Sequence, residues 1–133
     1  MQTDEFVRRV QEEGRIASGD DALRVIAATL ESLGERLPRK ERVTLAAQLP
    51  EQLRSYVNRR QESEAFTLQE FYNRVAARSD LGLPEAIARA QIVMGALQEA
   101  VSEGQLERVR EELPRKFDEL FSGEPYGPGS PAA

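Results

Sequence analysis

The sequence predicts an all-α protein, a helical bundle of about eight helices made of two tandem four-helix repeats related by a pseudo-twofold. Three observations carry this. Apolar residues recur at helical spacing, two Leu-Pro pairs break the chain at matched places, and the segments leading to those breaks align with each other. Leu49-Pro50 and Leu113-Pro114 set the offset at 64 (113 minus 49). Carried backwards, it brings Ala22 onto Ala86, Leu23 onto Ile87, Leu30 onto Met94, Leu33 onto Leu97, Glu35 onto Glu99 and Leu37 onto Val101. Carried forwards, it brings Leu53, Tyr56 and Val57 onto Phe117, Leu120 and Phe121. Near the start of each copy the offset becomes 65 (70 minus 5), where Glu5-Phe6 meets Glu70-Phe71. One single-residue length change between the copies accounts for the shift. The expected organisation is a single helical domain over residues 1–121. Repeat one covers about 3–60 and repeat two about 66–121, followed by a flexible Gly/Pro-rich tail at 122–133.

The first helix of copy one is short, with Thr3 as the expected cap and Phe6, Val7 and Val10 on its apolar side. Its counterpart opens Thr67-Leu68-Gln69-Glu70, a capping-box pattern in which hydroxyl and carboxylate satisfy free backbone N–H groups. The second helix has the clearest signal. Leu23, Ile26, Leu30, Leu33 and Leu37 step by three, four, three and four, which puts them on one stripe. Ile87, Ala90, Met94, Leu97 and Val101 repeat the steps. Asp20 or Asp21 is the expected cap in copy one, and Pro84 suits a first helical turn in copy two.

The third helix is short and charged, near residues 39–48 and again near 105–112, where Ser102-Glu103-Gly104-Gln105 reads as a second capping box. Each Leu-Pro pair then ends one helix and starts the fourth, because proline lacks an N–H and disfavours helical geometry before it. Between the copies, residues 58–65 are polar and read as an exposed connection or frayed helix end. The tail holds three prolines and three glycines after Ser122, with Tyr126 among them.

The helix ending Ala46-Ala47-Gln48-Leu49-Pro50, with Leu53-Arg54 beyond it, resembles the hallmark of the bacterial domain-of-unknown-function family 2267. The Glu-Phe-x-x-x-Val opening of each copy and Val109-Arg110-Glu111-Glu112-Leu113-Pro114 are similar to that family as well. The resemblance runs from about Thr3 to Phe121. It implies a helical fold with two related halves, and no established biochemical activity or catalytic residues. Glu112 departs from the pattern where the first copy has Gln48.

Composition narrows the function classes. The chain has no cysteine and no histidine, so thiolate sites, Ser-His-Asp catalysis and histidine-ligated metals are excluded. Twenty-three acidic against 18 basic residues leave a net charge of −5, which argues against nonspecific nucleic-acid binding. No apolar run is long enough to span a bilayer and the N-terminal residues lack an apolar signal core, so the expected location is cytoplasmic. No catalytic, cofactor-binding or metal-ligating set is recognisable. Glu12-Glu13, Asp20-Asp21, Glu35 with Glu99, and Glu111-Glu112 are the carboxylate pairs considered for acid–base or metal chemistry. Glu35 and Glu99 sit off the stripe and are expected to be solvated.

The expected function is therefore a non-enzymatic interaction module that binds a protein partner or itself. The candidate partner-binding residues are Arg36, Arg39, Lys40, Arg42, Val43, Ala47, Gln48 and Arg54. They lie in copy one because Val43, Ala46 and Ala47 align with Glu107, Arg110 and Glu111, which makes the earlier third helix the more apolar of the two. A small apolar-ligand carrier, lined by Ile26, Leu30, Ile87 and Met94, is the alternative. A carboxylate-based enzyme or metal site is a weaker one.

Overall fold

The computed structural model describes residues 1–123 and is built from helices and turns alone, with no strand among them. The expected tail falls, apart from Ser122 and Gly123, outside the described residues. The first half of the chain contains α1 (Thr3–Gly14), α2 (Gly19–Arg36), α3 (Arg39–Gln48), a 3-10 turn (Glu51–Leu53) and α4 (Arg54–Val57). The second half contains α5 (Leu68–Ser79), α6 (Leu83–Ala100), α7 (Glu103–Glu111), a 3-10 turn (Arg115–Asp118) and α8 (Glu119–Ser122). Both first helices have 12 residues and both second helices 18.

The two long helices, α2 and α6, pack on each other at the centre. α1 lies against both, and so does α5. α4 closes one side on α2, and α8 closes the other on α6. α1 and α5 are therefore each shared between the two long helices. One continuous apolar cluster results, running from Phe6 and Val10 through Ile26, Leu30, Leu33, Phe71 and Val75 to Met94, Leu97, Phe117 and Leu120. At about 1.5–3 kcal/mol for each large apolar side chain removed from water, this burial is the main force holding the helices together. Phe71 meets Phe117 edge to face at 6.0 Å, tying α5 to the turn before α8.

Local chemistry sets the helix ends, with some differences from the sequence expectation. Gln2, not Thr3, caps α1, and its backbone N–H donates to the Glu5 carboxylate at 3.4 Å. Ser18, not Asp20 or Asp21, caps α2; its hydroxyl accepts from the Asp21 N–H at 3.1 Å. Thr67 caps α5 through the Glu70 N–H, but the Glu70 carboxylate turns to Arg74 instead of closing the box. α1 and α5 both end on a left-handed non-glycine residue, Arg15 at φ 51° and Asp80 at φ 56°.

After each Leu-Pro pair the chain makes a 3-10 turn before only one turn of α-helix, so the fourth helices are shorter than the pattern suggests. Leu53 and Val57 face inward there, as do Phe117 and Leu120. Gly34 is where α2 and α4 touch most closely. A Cβ at this position would lie 2.0 Å from the Val57 carbonyl oxygen, so the backbones could not approach over any larger residue. In α6, 64 residues further along, stands Gln98, whose amide donates to the Phe121 carbonyl at 3.0 Å.

No helix among the described residues is long and apolar enough to cross a membrane. Ile26, Leu30 and Met94 are fully buried in the shared core and Ile87 packs against it. The clefts that open on the surface are lined by other residues.

Candidate functional site

α3 follows Pro38, whose φ of −58° and extended ψ deliver the chain into a helix without a side-chain cap. Its inward face carries Arg42, Leu45 and Ala46. Its one acidic residue, Glu41, turns towards α7, accepting from the Gln105 amide at 2.8 Å and lying 3.9 Å from Arg108. Arg39, Lys40, Val43 and Ala47 are left on the outside. Val43 is 51 % exposed, and Met1 is the other large apolar side chain so exposed among the described residues.

The structure divides the eight candidate residues into two groups. Arg36, Arg42, Gln48 and Arg54 hold the fold together. Arg36 Nε donates to the Phe66 carbonyl at 2.8 Å, with its guanidinium over the Phe66 and Phe117 rings. Arg42, only 3 % exposed, donates to the Gly34 carbonyl at 3.2 Å and to the Gln61 carbonyl at 2.8 Å. Gln48 accepts from the Ser102 backbone N–H at 2.8 Å, and Arg54 donates to the Leu49 carbonyl at 2.9 Å. Arg39, Lys40, Val43 and Ala47 are exposed, and neither cation forms an ion pair among the described residues.

Beside this face, residues 58–66 cross the C-terminal end of α2. The side chains of 58–65 are exposed, but the segment is strapped down along its length. The Gln61 and Phe66 carbonyls accept from Arg42 and Arg36, Ser63 Oγ donates to the Leu37 carbonyl, and the Glu64 N–H donates to the Glu35 carbonyl at 2.8 Å. Arg39, Arg42 and Val43 from α3, with Asn58 and Gln61 from the crossing segment, enclose a cleft of about 200 Å³. None of its lining residues carries a carboxylate.

A second charged constellation was not expected from the sequence. Glu31 and Glu35, each 5 % exposed, are buried on α2 among arginines from distant positions. Glu35 is held by Arg78 at 2.5 and 3.1 Å and by Arg74 at 3.2 Å. Glu31 lies 3.2 Å from Arg78 Nε, 3.3 Å from Arg60 and 3.7 Å from Arg59. Arg74 also reaches Glu64 at 2.7 Å and Glu70 at 2.9 Å. Burial alone would push the Glu35 carboxyl upward, but the hydrogen bonds and positive charge of Arg78 and Arg74 outweigh it and hold the group below its ordinary value.

Glu35 is thus a buried ion-pair partner rather than the solvated charge expected. Glu99, its aligned counterpart, is half-exposed and pairs with Arg9 instead. The only local signal for the cluster was two glutamates one helical turn apart beside an apolar stripe. The arginines that complete it arrive from 25 to 47 residues further along (60 minus 35, 78 minus 31).

Every carboxylate in this cluster is matched by guanidinium, which is the chemistry of a clasp. Among the described residues, no group of three or more acidic side chains is placed to hold a metal ion. The class these features define is a small helical protein whose buried charges fasten the first long helix to the second half of the chain and to the connecting segment. The chain belongs to the family of uncharacterized conserved proteins DUF2267, whose model matches residues 3–120. No curated protein matches the chain.

Proposed function

We propose that this protein is a non-enzymatic interaction module of the bacterial cytoplasm, which binds a protein partner through the outer face of α3. The observation that supports the reading is Val43. It is a large apolar side chain left 51 % exposed, flanked by cations that form no ion pair among the described residues, where the other large apolar side chains of the described residues, Met1 apart, are buried or half-buried. Around it, Arg36, Arg42, Gln48 and Arg54 are spent on the fold and keep α3 rigid, so the face is presented in a fixed shape.

We also infer that the two copies are related by a pseudo-twofold. Packing of α1 on α2 has its counterpart in α5 on α6, α1 on α6 in α5 on α2, and α2 on α4 in α6 on α8. The apolar difference between α3 and α7 is then a difference of role. One copy meets the partner, and the other supports it.

Size-exclusion chromatography of a native extract tests the reading. The wild-type chain elutes well above its 14.9 kDa mass, and a folded Val43→Asp, Ala47→Asp variant elutes as the monomer. Identical elution of the two would contradict it.

A further inference from the structure

Arg42 combines three properties. Its side chain is nearly sealed from water at 3 % exposed, it lines an open cleft, and it has no carboxylate partner among the described residues. The other buried charges near α2 are neutralised directly, as Glu31 and Glu35 are by Arg60, Arg74 and Arg78. Arg42 instead donates to two backbone carbonyls, those of Gly34 and Gln61. The Gly34 carbonyl belongs to the last turn of α2, whose dipole end supplies about half a negative charge. That half charge faces the full positive charge of Arg42, and Arg39 shares the cleft without an ion pair among the described residues. Glu41, the acid of α3, is turned away and engaged by α7.

The remaining lining adds donors and one apolar wall. Neither the Asn58 nor the Gln61 side-chain amide makes a hydrogen bond among the described residues, and Val43 closes the edge. At about 200 Å³ the cleft is smaller than the roughly 300–1,000 Å³ of most small-molecule pockets, which suits one side chain better than a cofactor. We propose that this cleft is a carboxylate-binding subsite, and that the partner of α3 is an acidic peptide segment carrying an apolar residue beside its Asp or Glu. The carboxylate would sit between the Arg39 and Arg42 guanidinium groups, within reach of the Asn58 and Gln61 amides. The neighbouring apolar side chain would cover Val43. The inference rests on the α3 reading above and gives it a partner chemistry.

The test is amide NMR of the full chain titrated with three probes: acetyl-Leu-Glu-Leu-amide, its Leu-Gln-Leu counterpart, and inorganic phosphate. The expected result is saturable shifts at Arg39, Val43, Asn58 and Gln61 with the Glu peptide, and much weaker ones with the Gln peptide and phosphate. Arg39→Gln, at an exposed position that leaves the fold intact, weakens the Glu peptide about threefold. Val43→Ser weakens the peptide and leaves phosphate unchanged. Equal response to the Glu and Gln peptides, equal response to phosphate, or shifts located elsewhere would each overturn the proposal. If the extract chromatography succeeds while the Glu peptide fails to bind, α3 remains the contact face and the carboxylate chemistry is wrong.

Discussion

The Gln105 side-chain amide donates to the Glu41 carboxylate at 2.8 Å, and these two residues stand 64 apart in the chain, the same offset as the two Leu-Pro pairs. A direct bond at that offset is what the inferred pseudo-twofold, with its axis between α3 and α7, would produce. Gln105 is fully buried and Glu41 nearly so, at 12 % side-chain exposure, so the bond is shielded from water. A double-mutant cycle of Glu41→Ala and Gln105→Ala is expected to give a coupling of about 1–2 kcal/mol in denaturant unfolding.

The same seam holds a shared cap. The Ser102 hydroxyl accepts from the Gln105 N–H at 3.2 Å, as the sequence suggested, but the Ser102 N–H is satisfied by Gln48 at the end of α3. Gln48→Ala removes that acceptor and is expected to cost about 1 kcal/mol. Amide hydrogen exchange should show the loss as faster exchange at Ser102, with α1 and α5 unaffected.

Two glycine substitutions should act in opposite directions. Gly34→Ala drives a methyl to 2.0 Å from the Val57 carbonyl, and backbone must move to admit it. A loss of about 2–3 kcal/mol is expected, visible in thermal unfolding as a fall of roughly 6–12 °C. Gly95→Ala, inside α6 with nothing near its Cβ position, should gain about 0.5–1 kcal/mol from helix propensity.

Glu35 contributes stability that acid removes. Its folded pKa is depressed, so its stabilising contribution is fully present above its ordinary value of 4.5 and is lost as pH falls through the folded value. Glu35→Gln leaves the part-buried Arg74 and Arg78 with only their other partners, Glu64, Glu70 and Glu31, and is expected to cost about 1–2 kcal/mol at pH 7. The gap between wild type and variant should narrow as the pH drops below about 4.5. A gap that stays constant from pH 7 to pH 3 would show that the carboxylate is not the stabilising group.

The stripe of α2 was legible because Ile26, Leu30, Leu33 and Leu37 obey helical spacing and are all fully buried. Its opposite side was not legible. Thr29 and Ser32 look like surface residues, but each donates its hydroxyl within the helix, to the Val25 carbonyl at 2.7 Å and the Ala28 carbonyl at 2.8 Å. Ser32 Oγ also accepts from Arg78 at 3.0 Å, a partner 46 residues away that no local spacing reveals. Glu31 and Glu35 were missed for a different reason, since their counter-charges come from the connection and from α5. The α3 candidates were chosen as a charged and apolar cluster, and the same local pattern could not separate Arg42, which turns inward, from Arg39, which stays out. One turn of helix decides that difference.

The central claim is that the outer face of α3 is where this protein meets its partner. A photo-reactive amino acid placed at Val43, and in a second strain at the exposed Glu12 of α1, tests it in living cells of the native host. The account predicts a discrete cross-linked adduct from position 43, none from position 12, and loss of the first when Arg39 is also changed to Glu. Adducts from position 12 and none from position 43 would contradict it.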